Sequence, residues 1–120
     1  ISIPIKFKDL IIESFQGKRI NILAPVIRAR KGHYAELFQH IAKQGFVKVR
    51  VNGEIVDITP GMKLDRYKTH DIEIVIDRIE IDNATDTQKR LSESINTAMY
   101  HGDDVMIVLE QNQKEVRSAI

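Results

Sequence analysis

The sequence contains no cysteine, and this absence removes several classes of chemistry at once. Without thiols the chain forms no disulfide, holds no zinc through thiolate ligands and has no cysteine nucleophile. Its apolar runs are far shorter than the ~20 residues that cross a bilayer, and no secretory signal pattern opens the sequence. We therefore expect a cytoplasmic location without membrane contact. Since the first residue is Ile1 rather than Met, we also expect a piece of a longer protein.

An excess of charge of one sign is also missing. The chain has 18 Lys and Arg against 17 Asp and Glu, a formal net charge of +1. A charge this small gives no bulk attraction to nucleic acid or to an anionic membrane, so such binding would need a local patch. Apolar residues make up 42% and charged residues 29%, which are ordinary proportions for a globular protein. At 120 residues we expect one domain over 1–120.

Motifs that carry nucleotide or metal chemistry are absent as well. Neither G-x-x-x-x-G-K-[ST] nor G-x-G-x-x-G occurs, so we expect no ATP hydrolysis by this chain. The four histidines lack the convergent spacing of a metal site, and no metal is expected. Asp71, Glu73 and Asp77 alternate along one segment without a catalytic Ser, Thr or His. We expect them to pair with nearby Lys and Arg, and the chain not to be an enzyme.

Apolar residues recur at helical spacing in three segments. The predicted helices cover residues 6–15, 33–44 and 85–101. The predicted buried face of the first helix consists of Phe7, Leu10, Ile11 and Phe15. Gly45 stands where a glycine commonly follows a helix end. Thr85 and Gln88 form a possible capping box for the third helix.

Alternating or continuous apolar runs predict about five strands. They cover residues 19–24, 46–51, 54–58, 71–81 and 105–109. Pro25 should end the first strand. Asn52-Gly53 should join the second and third as a type I′ hairpin, because both turn positions need positive φ. Apolar parity changes near Ile76 and Asp77, which indicates a bulge or a strand buried first on one side and then on the other. The polar tail from Gln111 is expected to fray.

These elements predict an α+β fold, namely one two-layer domain with a mixed sheet of about five strands and about three helices. The Asn-Gly hairpin belongs to this sheet. The strand over 19–24, the helix over 33–44 and the strand over 46–51 can form a βαβ unit. If the two strands are parallel neighbours, their crossover should be right-handed.

Eight short motifs occur in a fixed order between about Phe15 and about Leu109. They are Ile22-Leu23-Ala24-Pro25, Arg30-Lys31-Gly32, Gln44-Gly45-Phe46, Arg50-Val51-x-Gly53-Glu54, Lys63-Leu64-Asp65, His70-x-Ile72-Glu73, Val75-x-Asp77-Arg78 and Arg90-Leu91-x-x-Ser94. Each is weak alone, but their common order makes coincidence improbable. Together they resemble the inserted UvrB-interaction domain of the UvrA family, the DNA-damage-sensing ATPases of bacterial nucleotide excision repair.

The resemblance implies a non-catalytic docking domain that binds UvrB so that UvrB is loaded at DNA damage. In the family, ATP, zinc and DNA are bound by other parts of a protein that dimerises. We therefore expect UvrB as the partner, no cofactor in this chain, and DNA contacted mainly by the rest of a homodimeric parent protein. The lack of cysteine indicates that the zinc module of the family is not included.

Lys48, Arg50 and Arg78 are the candidate partner-binding residues. Lys48 and Arg50 alternate with Val47, Val49 and Val51, so they should project opposite the buried valines. Arg78 lies where the longest strand changes parity. If the hairpin pairs with that strand, the three cations would gather on one exposed sheet face. They would then meet carboxylates of UvrB through a polar interface.

The second choice for the partner site is the loop expected after Pro25, which carries Arg28, Arg30 and Lys31. A nucleic-acid-binding module is the alternative function, because these residues belong to a central basic cluster. The cluster comprises Arg28, Arg30, Lys31, Lys48, Arg50, Lys63, Arg66, Lys68 and Arg78. Stacking aromatics are scarce and acidic residues interleave through 54–82, which favours a protein partner.

Overall fold

The computed structural model describes residues 3–111 and 115–119. Within these residues there are three helices and six strands. The helices are α1 (Ile3–Ser14), α2 (Ala35–Lys43) and α3 (Thr85–His101). The strands are β1 (Arg19–Lys31), β2 (Lys48–Val51), β3 (Glu54–Asp57), β4 (Thr69–Glu80), β5 (Val105–Glu110) and β6 (Glu115–Ala119). The expected α+β class is confirmed, and no helix of the described residues is long and apolar enough to cross a membrane.

The strands hydrogen-bond into a sheet in the order β3-β2-β4-β1-β5-β6. Where the sequence predicts a mixed sheet, the four pairs with a described register are antiparallel: β2 with β3, β2 with β4, β1 with β5 and β5 with β6. β4 lies between β1 and β2, so the two strands are not neighbours, and the condition under which a right-handed crossover is predicted is not met. The length of the connection between β1 and β2 would allow them to pair. However, β4 has buried residues along its length and lies inside the sheet, between these two strands.

The sheet contains a sixth strand that the sequence does not predict. The sequence predicts that the tail from Gln111 frays, but residues 115–119 form β6 and pair with β5. Residues 112–114 and 120 of this tail lie outside the described residues. This segment has too few apolar residues to stand out as a strand in the sequence. Pairing with β5 nevertheless supplies its backbone groups with partners, and this does not depend on an apolar side-chain pattern.

Residues Ile1–Ala24 and Ile76–Ile120 form one of two compact units of the chain. In it α1 packs against α3, and α3 against β5. Its buried apolar side chains include Ile11, Phe15, Ile20, Ile22, Leu91, Ile95, Met106 and Ile107. Leu10, expected on the buried face of α1, is exposed. One residue corresponds to about 100° of helix rotation, so the stripe through Ile11 and Phe15 leaves Leu10 to one side.

The start of α3 differs from the expected capping box. The N-cap residue is Ala84, and no side chain caps the helix there. Asp82 instead accepts a hydrogen bond of 2.9 Å from the backbone N–H of Ala84. The Thr87 hydroxyl and this N–H lower the pKa of Asp82. Thr85 lies inside the helix, one position too late to cap it.

The second compact unit is Pro25–Val75. Its buried apolar side chains are Phe38, Ile41, Val49, Val51, Ile72 and Ile74. Val49 lies opposite Ile74, and Val51 opposite Ile72, so apolar pairs run across β2 and β4. The Asn-Gly hairpin is confirmed, since Asn52 has φ 50° and Gly53 φ 87°. The expectation of a single domain over 1–120 stays a prediction.

β1 does not end at Pro25 as the sequence suggested, but continues to Lys31. The described register with β5 covers Ile20–Leu23, so Pro25 lies beyond it and its missing N–H breaks no bond of that pairing. Ala29 then adopts φ 48°, and its N–H donates to Asp71 Oδ1 at 2.8 Å. Arg28, Arg30 and Lys31 therefore lie on a strand end rather than in a loop.

The buried apolar residues of β4 follow the expected change of parity. Ile72 and Ile74 are buried at even positions and Ile79 at an odd one, although the charged residue Glu73 is also buried at an odd position. Asp77 lies between these two stretches and is half-buried. Polar side chains of β4 thus occupy different faces before and after the change.

Candidate functional site

The hairpin strand β2 presents its two cations on one face. Val49 and Val51 are buried, and Lys48 and Arg50 alternate with them on the opposite side. Val47 was expected among the buried valines, but it lies before β2 begins and is exposed. Buried and less buried side chains therefore alternate only within β2, that is, over residues 48–51.

Arg50 is held by a carboxylate on the neighbouring strand. Glu73 lies directly opposite Arg50 in the register of β2 with β4. Arg50 Nη1 lies 3.2 Å from Glu73 Oε1, and the two side chains are only 13% and 6% exposed. Removing either charge would leave the other desolvated. Arg50 thus contributes to the structure of this face and offers a partner little accessible surface.

Lys48 is also paired, but in an open setting. Its Nζ forms a salt bridge with Asp57 Oδ1, and Asp57 is the residue opposite it on β3. The two side chains are 43% and 71% exposed. Exposed pairs contribute little to folding stability, because water competes for both groups. A carboxylate of a partner protein could therefore replace Asp57 at low cost.

Arg78 lies on the second half of β4 and is exposed. Its Nε donates to Oδ1 of buried Asn21 at 3.2 Å. The Arg78 carbonyl accepts a hydrogen bond of 3.2 Å from Arg90 Nη2. These contacts fix the backbone and the Nε end of the side chain. Exposure of the residue leaves its charge accessible.

Asp77, beside Arg78, ties β4 to α3. Arg90 binds both Asp77 oxygens, at 3.0 Å through Nε and 2.7 Å through Nη2, and Ser94 Oγ donates to Oδ2 at 2.7 Å. Burial acts to raise the pKa of Asp77. The hydrogen bonds from Arg90 and Ser94, the charge of Arg90 and the Arg78 N–H outweigh it and lower that pKa. The same pairing raises the pKa of Arg90.

The carboxylates expected to pair with basic residues behave in two ways. Glu73 binds Arg50 and Asp77 binds Arg90, as expected. Asp71 instead accepts the backbone N–H of Ala29. The sequence could not reveal this because Ala29 gives no side-chain signal.

The candidate residues fall in both units of the chain. Lys48 and Arg50 belong to Pro25–Val75, whereas Arg78 belongs to the other unit. The pairing of the hairpin with the long strand, which the prediction required, is present in the register of β2 with β4. The gathering of all three cations on one face stays a prediction.

The second-choice residues have a different environment. Arg28, Arg30 and Lys31 are exposed at the end of β1. Within the part of the chain that the structure describes, none of the three forms a salt bridge, unlike Lys48 and Arg50. Their charges are therefore available without breaking an internal pair.

Comparison with known proteins identifies the family. The profile of the UvrA interaction domain matches residues 6–112. The chain belongs to the UvrA interaction domain family. The UvrABC system protein A of Methanothermobacter thermautotrophicus is 43% identical over 100 residues, which cover 83% of this chain and 10% of that protein. The protein of the same name from Pseudomonas putida is 38% identical over 115 residues, covering 92% of this chain and 12% of that protein.

A third relative agrees with these two. The UvrABC system protein A of Lactococcus lactis is 40% identical over 108 residues, covering 90% of this chain and 11% of that protein. The chain thus spans about a tenth of the length of these relatives. The resemblance read from the motifs is confirmed by the family match and by these relatives.

The part of UvrA that is matched is an interaction domain, which agrees with the expectation that the chain is not itself an enzyme. Among the described residues, no group of three or more His, Asp or Glu is placed to hold a metal ion. A pocket of ≈ 170 Å³ is lined mainly by apolar residues, including Phe38, Ile58 and Met62. It lacks the converging polar groups of a catalytic site.

One polar network of this interaction domain has no signal in the sequence. Buried His70 has its Nδ1 3.0 Å from Asn52 Nδ2 and its Nε2 2.7 Å from the Asp65 carbonyl. Asn52 Oδ1 accepts the Asp71 N–H at 2.9 Å, so the Asn52 amide must donate to Nδ1, and Nε2 carries the proton. His70 thereby links the hairpin turn to the loop before β4. The Asn-Gly pair predicts the hairpin turn, but not the hydrogen bond between the side chains of Asn52 and His70.

Proposed function

We propose that the chain is a non-catalytic docking domain that binds UvrB, so that UvrB is loaded at DNA damage. The observation that carries the proposal is the match of residues 6–112 to the interaction domain of UvrA. ATP hydrolysis, zinc binding, dimerisation and most DNA contact belong, in this proposal, to other parts of a cytoplasmic parent protein. The chain itself needs no cofactor to dock.

Lys48, Arg50 and Arg78 form the proposed docking site, with unequal roles. Lys48 can exchange Asp57 for a carboxylate of UvrB, because both members of that pair are exposed. Arg78 presents its charge on a backbone held by Arg90. Arg50 has chiefly a structural place in this site, because it is paired with Glu73 across β2 and β4 and its side chain is only 13% exposed.

Charge reversal tests this site. Lys48→Glu and Arg78→Glu should each weaken UvrB binding by about tenfold, which corresponds to roughly 1.4 kcal/mol. Binding is measured by titrating the 120-residue chain with UvrB at ~0.15 M salt. Lys89→Glu, on an exposed position of α3, is the matched control and should bind as the unsubstituted chain does.

Thermal unfolding of the same variants separates binding from folding. Exposed substitutions usually change stability by no more than about 0.5 kcal/mol, so Lys48→Glu and Lys89→Glu should unfold at nearly the temperature of the unsubstituted chain. Arg78→Glu also loses the hydrogen bond to buried Asn21 and should be less stable by about 1–3 kcal/mol, so its UvrB binding is measured well below its unfolding temperature. If both reversals leave the affinity unchanged, the docking site is elsewhere, with Arg28, Arg30 and Lys31 as the next choice. If the unsubstituted chain does not bind UvrB, the docking function itself is wrong.

A further inference from the structure

Two segments of the Pro25–Val75 unit meet at the end of β1. The Leu64 N–H donates to the His33 carbonyl at 2.8 Å. The Tyr34 and His70 rings pack edge to face with centroids 6.4 Å apart. The Ala29 N–H reaches Asp71 Oδ1 at 2.8 Å. These contacts join residues 28–34 to residues 63–71, and we call the two segments together the basic end.

The basic end carries a strong excess of positive charge. Its six cations are all exposed. They are Arg28, Arg30, Lys31, Lys63, Arg66 and Lys68. Its two carboxylates are engaged with backbone, because Asp65 accepts the Tyr67 N–H at 2.9 Å and Asp71 accepts that of Ala29. Across the described residues, none of the six cations forms a salt bridge.

The charge imbalance is specific to one unit of the chain. Pro25–Val75 has nine Lys or Arg against six Asp or Glu, a net +3, although the whole chain has only +1. The remaining residues therefore carry a net −2, and the near-neutral total hides the local patch. Tyr67, between Arg66 and Lys68, is 79% exposed and adds an aromatic ring to the same segment.

We propose that the basic end binds the phosphate backbone of duplex DNA. Duplex DNA presents one negative charge per ~1.7 Å of its axis, so long cations without internal partners gain by displacing its counterions. Lys is depleted at the centre of protein interfaces. The basic end has three lysines among its six exposed cations, and its excess charge is of one sign. This surface is additional to the UvrB site and carries no base-reading role.

Salt-dependent binding is the first test. Fluorescence anisotropy of a labelled duplex of about 20 base pairs is measured with the 120-residue chain between about 0.05 and 0.2 M salt. If all six cations contact phosphates, the logarithm of the association constant should fall against the logarithm of salt concentration with a slope of about −5. Absence of binding at the lowest salt concentration would overturn the proposal.

Matched triple variants test the location. R28A/R30A/K31A should weaken DNA binding and reduce the slope by about 3. K8A/K43A/K89A removes the same charge elsewhere and should change both quantities much less. Equal effects of the two triples would mean that bulk charge, not the basic end, attracts DNA. Circular dichroism verifies that each variant is folded. If R28A/R30A/K31A does not fold, K63A/R66A/K68A applies the same test to residues 63–71.

Two comparisons distinguish the partner class. The R28A/R30A/K31A variant should keep the UvrB affinity of the unsubstituted chain; loss of UvrB binding with unchanged DNA binding would make this surface a protein site. A labelled single strand of the same length should bind no more tightly than the duplex. If the single strand binds more tightly and Tyr67→Ala abolishes this binding, the ligand of the basic end is a single strand stacked on Tyr67 rather than duplex DNA.

Discussion

Arg50 and Glu73 face each other across β2 and β4, and their ion pair is almost completely shielded from solvent. Lys48 and Asp57 make the analogous pair across β2 and β3, but both side chains are open to water. The hairpin strand thus has one buried and one exposed ion pair two residues apart. This difference leads to opposite expectations for stability and binding.

We expect Glu73→Gln to destabilise the fold by about 3 kcal/mol, because it leaves the Arg50 charge buried without its carboxylate. Asp57→Asn should cost less than about 1 kcal/mol, because water solvates Lys48 when the partner charge is lost. Urea unfolding at neutral pH measures both values. Equal losses in the two variants would show that burial does not distinguish these pairs.

Replacing both members of the buried pair should behave differently from removing one. Arg50→Met with Glu73→Met removes both charges and fills much of the same volume. Such replacements are often neutral or stabilising. We therefore expect the double variant to recover most of the stability lost in Glu73→Gln. A double variant less stable than Glu73→Gln would mean that the pair itself, rather than an unbalanced charge, holds β2 against β4.

Asn52→Gly separates two contributions of the hairpin turn. Glycine adopts the φ of 50° observed at Asn52 readily, so the type I′ turn is retained. The side-chain bonds to the Asp71 N–H and to buried His70 are lost, and unsatisfied buried groups cost about 1–3 kcal/mol. The expected loss is measured by thermal unfolding. Unchanged stability would show that the turn conformation alone is what Asn52 contributes.

The sequence revealed the features that depend on near neighbours. Asn52-Gly53 predicts its hairpin because two adjacent residues both favour positive φ. The parity change near Asp77 is visible because it is a property of one strand. Lys48 and Arg50 were placed correctly on the polar side of β2 for the same reason.

The features that failed depend on distant segments. Pro25 remains in β1, beyond the described pairing with β5, which stops at Leu23. The position of β4 between β1 and β2 is set by strand pairing, which local spacing does not encode. The sequence likewise indicated Arg50 as a candidate for partner binding and Glu73 as a partner of some basic residue. It did not indicate that the side chain of Arg50, paired with Glu73 23 residues away, is only 13% exposed.

Acid should weaken the link between β4 and α3. The pKa of Asp77 is lowered in the folded state, so this carboxylate stabilises the fold above the pKa of the unfolded chain, about 3.9. That stabilisation is lost as the pH falls through the folded pKa. Asp77→Asn should cost about 1–2 kcal/mol at pH 7, since Arg90 is exposed and its pair is partly screened.

Urea unfolding between about pH 3 and pH 7 tests the Asp77 prediction. The difference in stability between the unsubstituted chain and Asp77→Asn should shrink towards the acid end. Glu80→Gln is the control, because Glu80 and its partner Arg19 are both largely exposed at a separation of 3.7 Å. A difference that stays constant with pH would exclude titration of Asp77 as its source.

Association with UvrB should be slowed by salt. Exposed charges such as Lys48 and Arg78 raise association rates through long-range attraction. The Debye length shrinks from ~8 Å at 0.15 M to ~3 Å at 1 M salt, so stopped-flow measurements across this range should show a marked fall in the association rate constant.

The charge swap Lys48→Asp with Asp57→Lys keeps the net charge and an internal pair, but moves the cation to β3. We expect slower association at low salt and little difference at 1 M. Association that is independent of salt, with a large negative heat-capacity change, would instead indicate a hydrophobic interface.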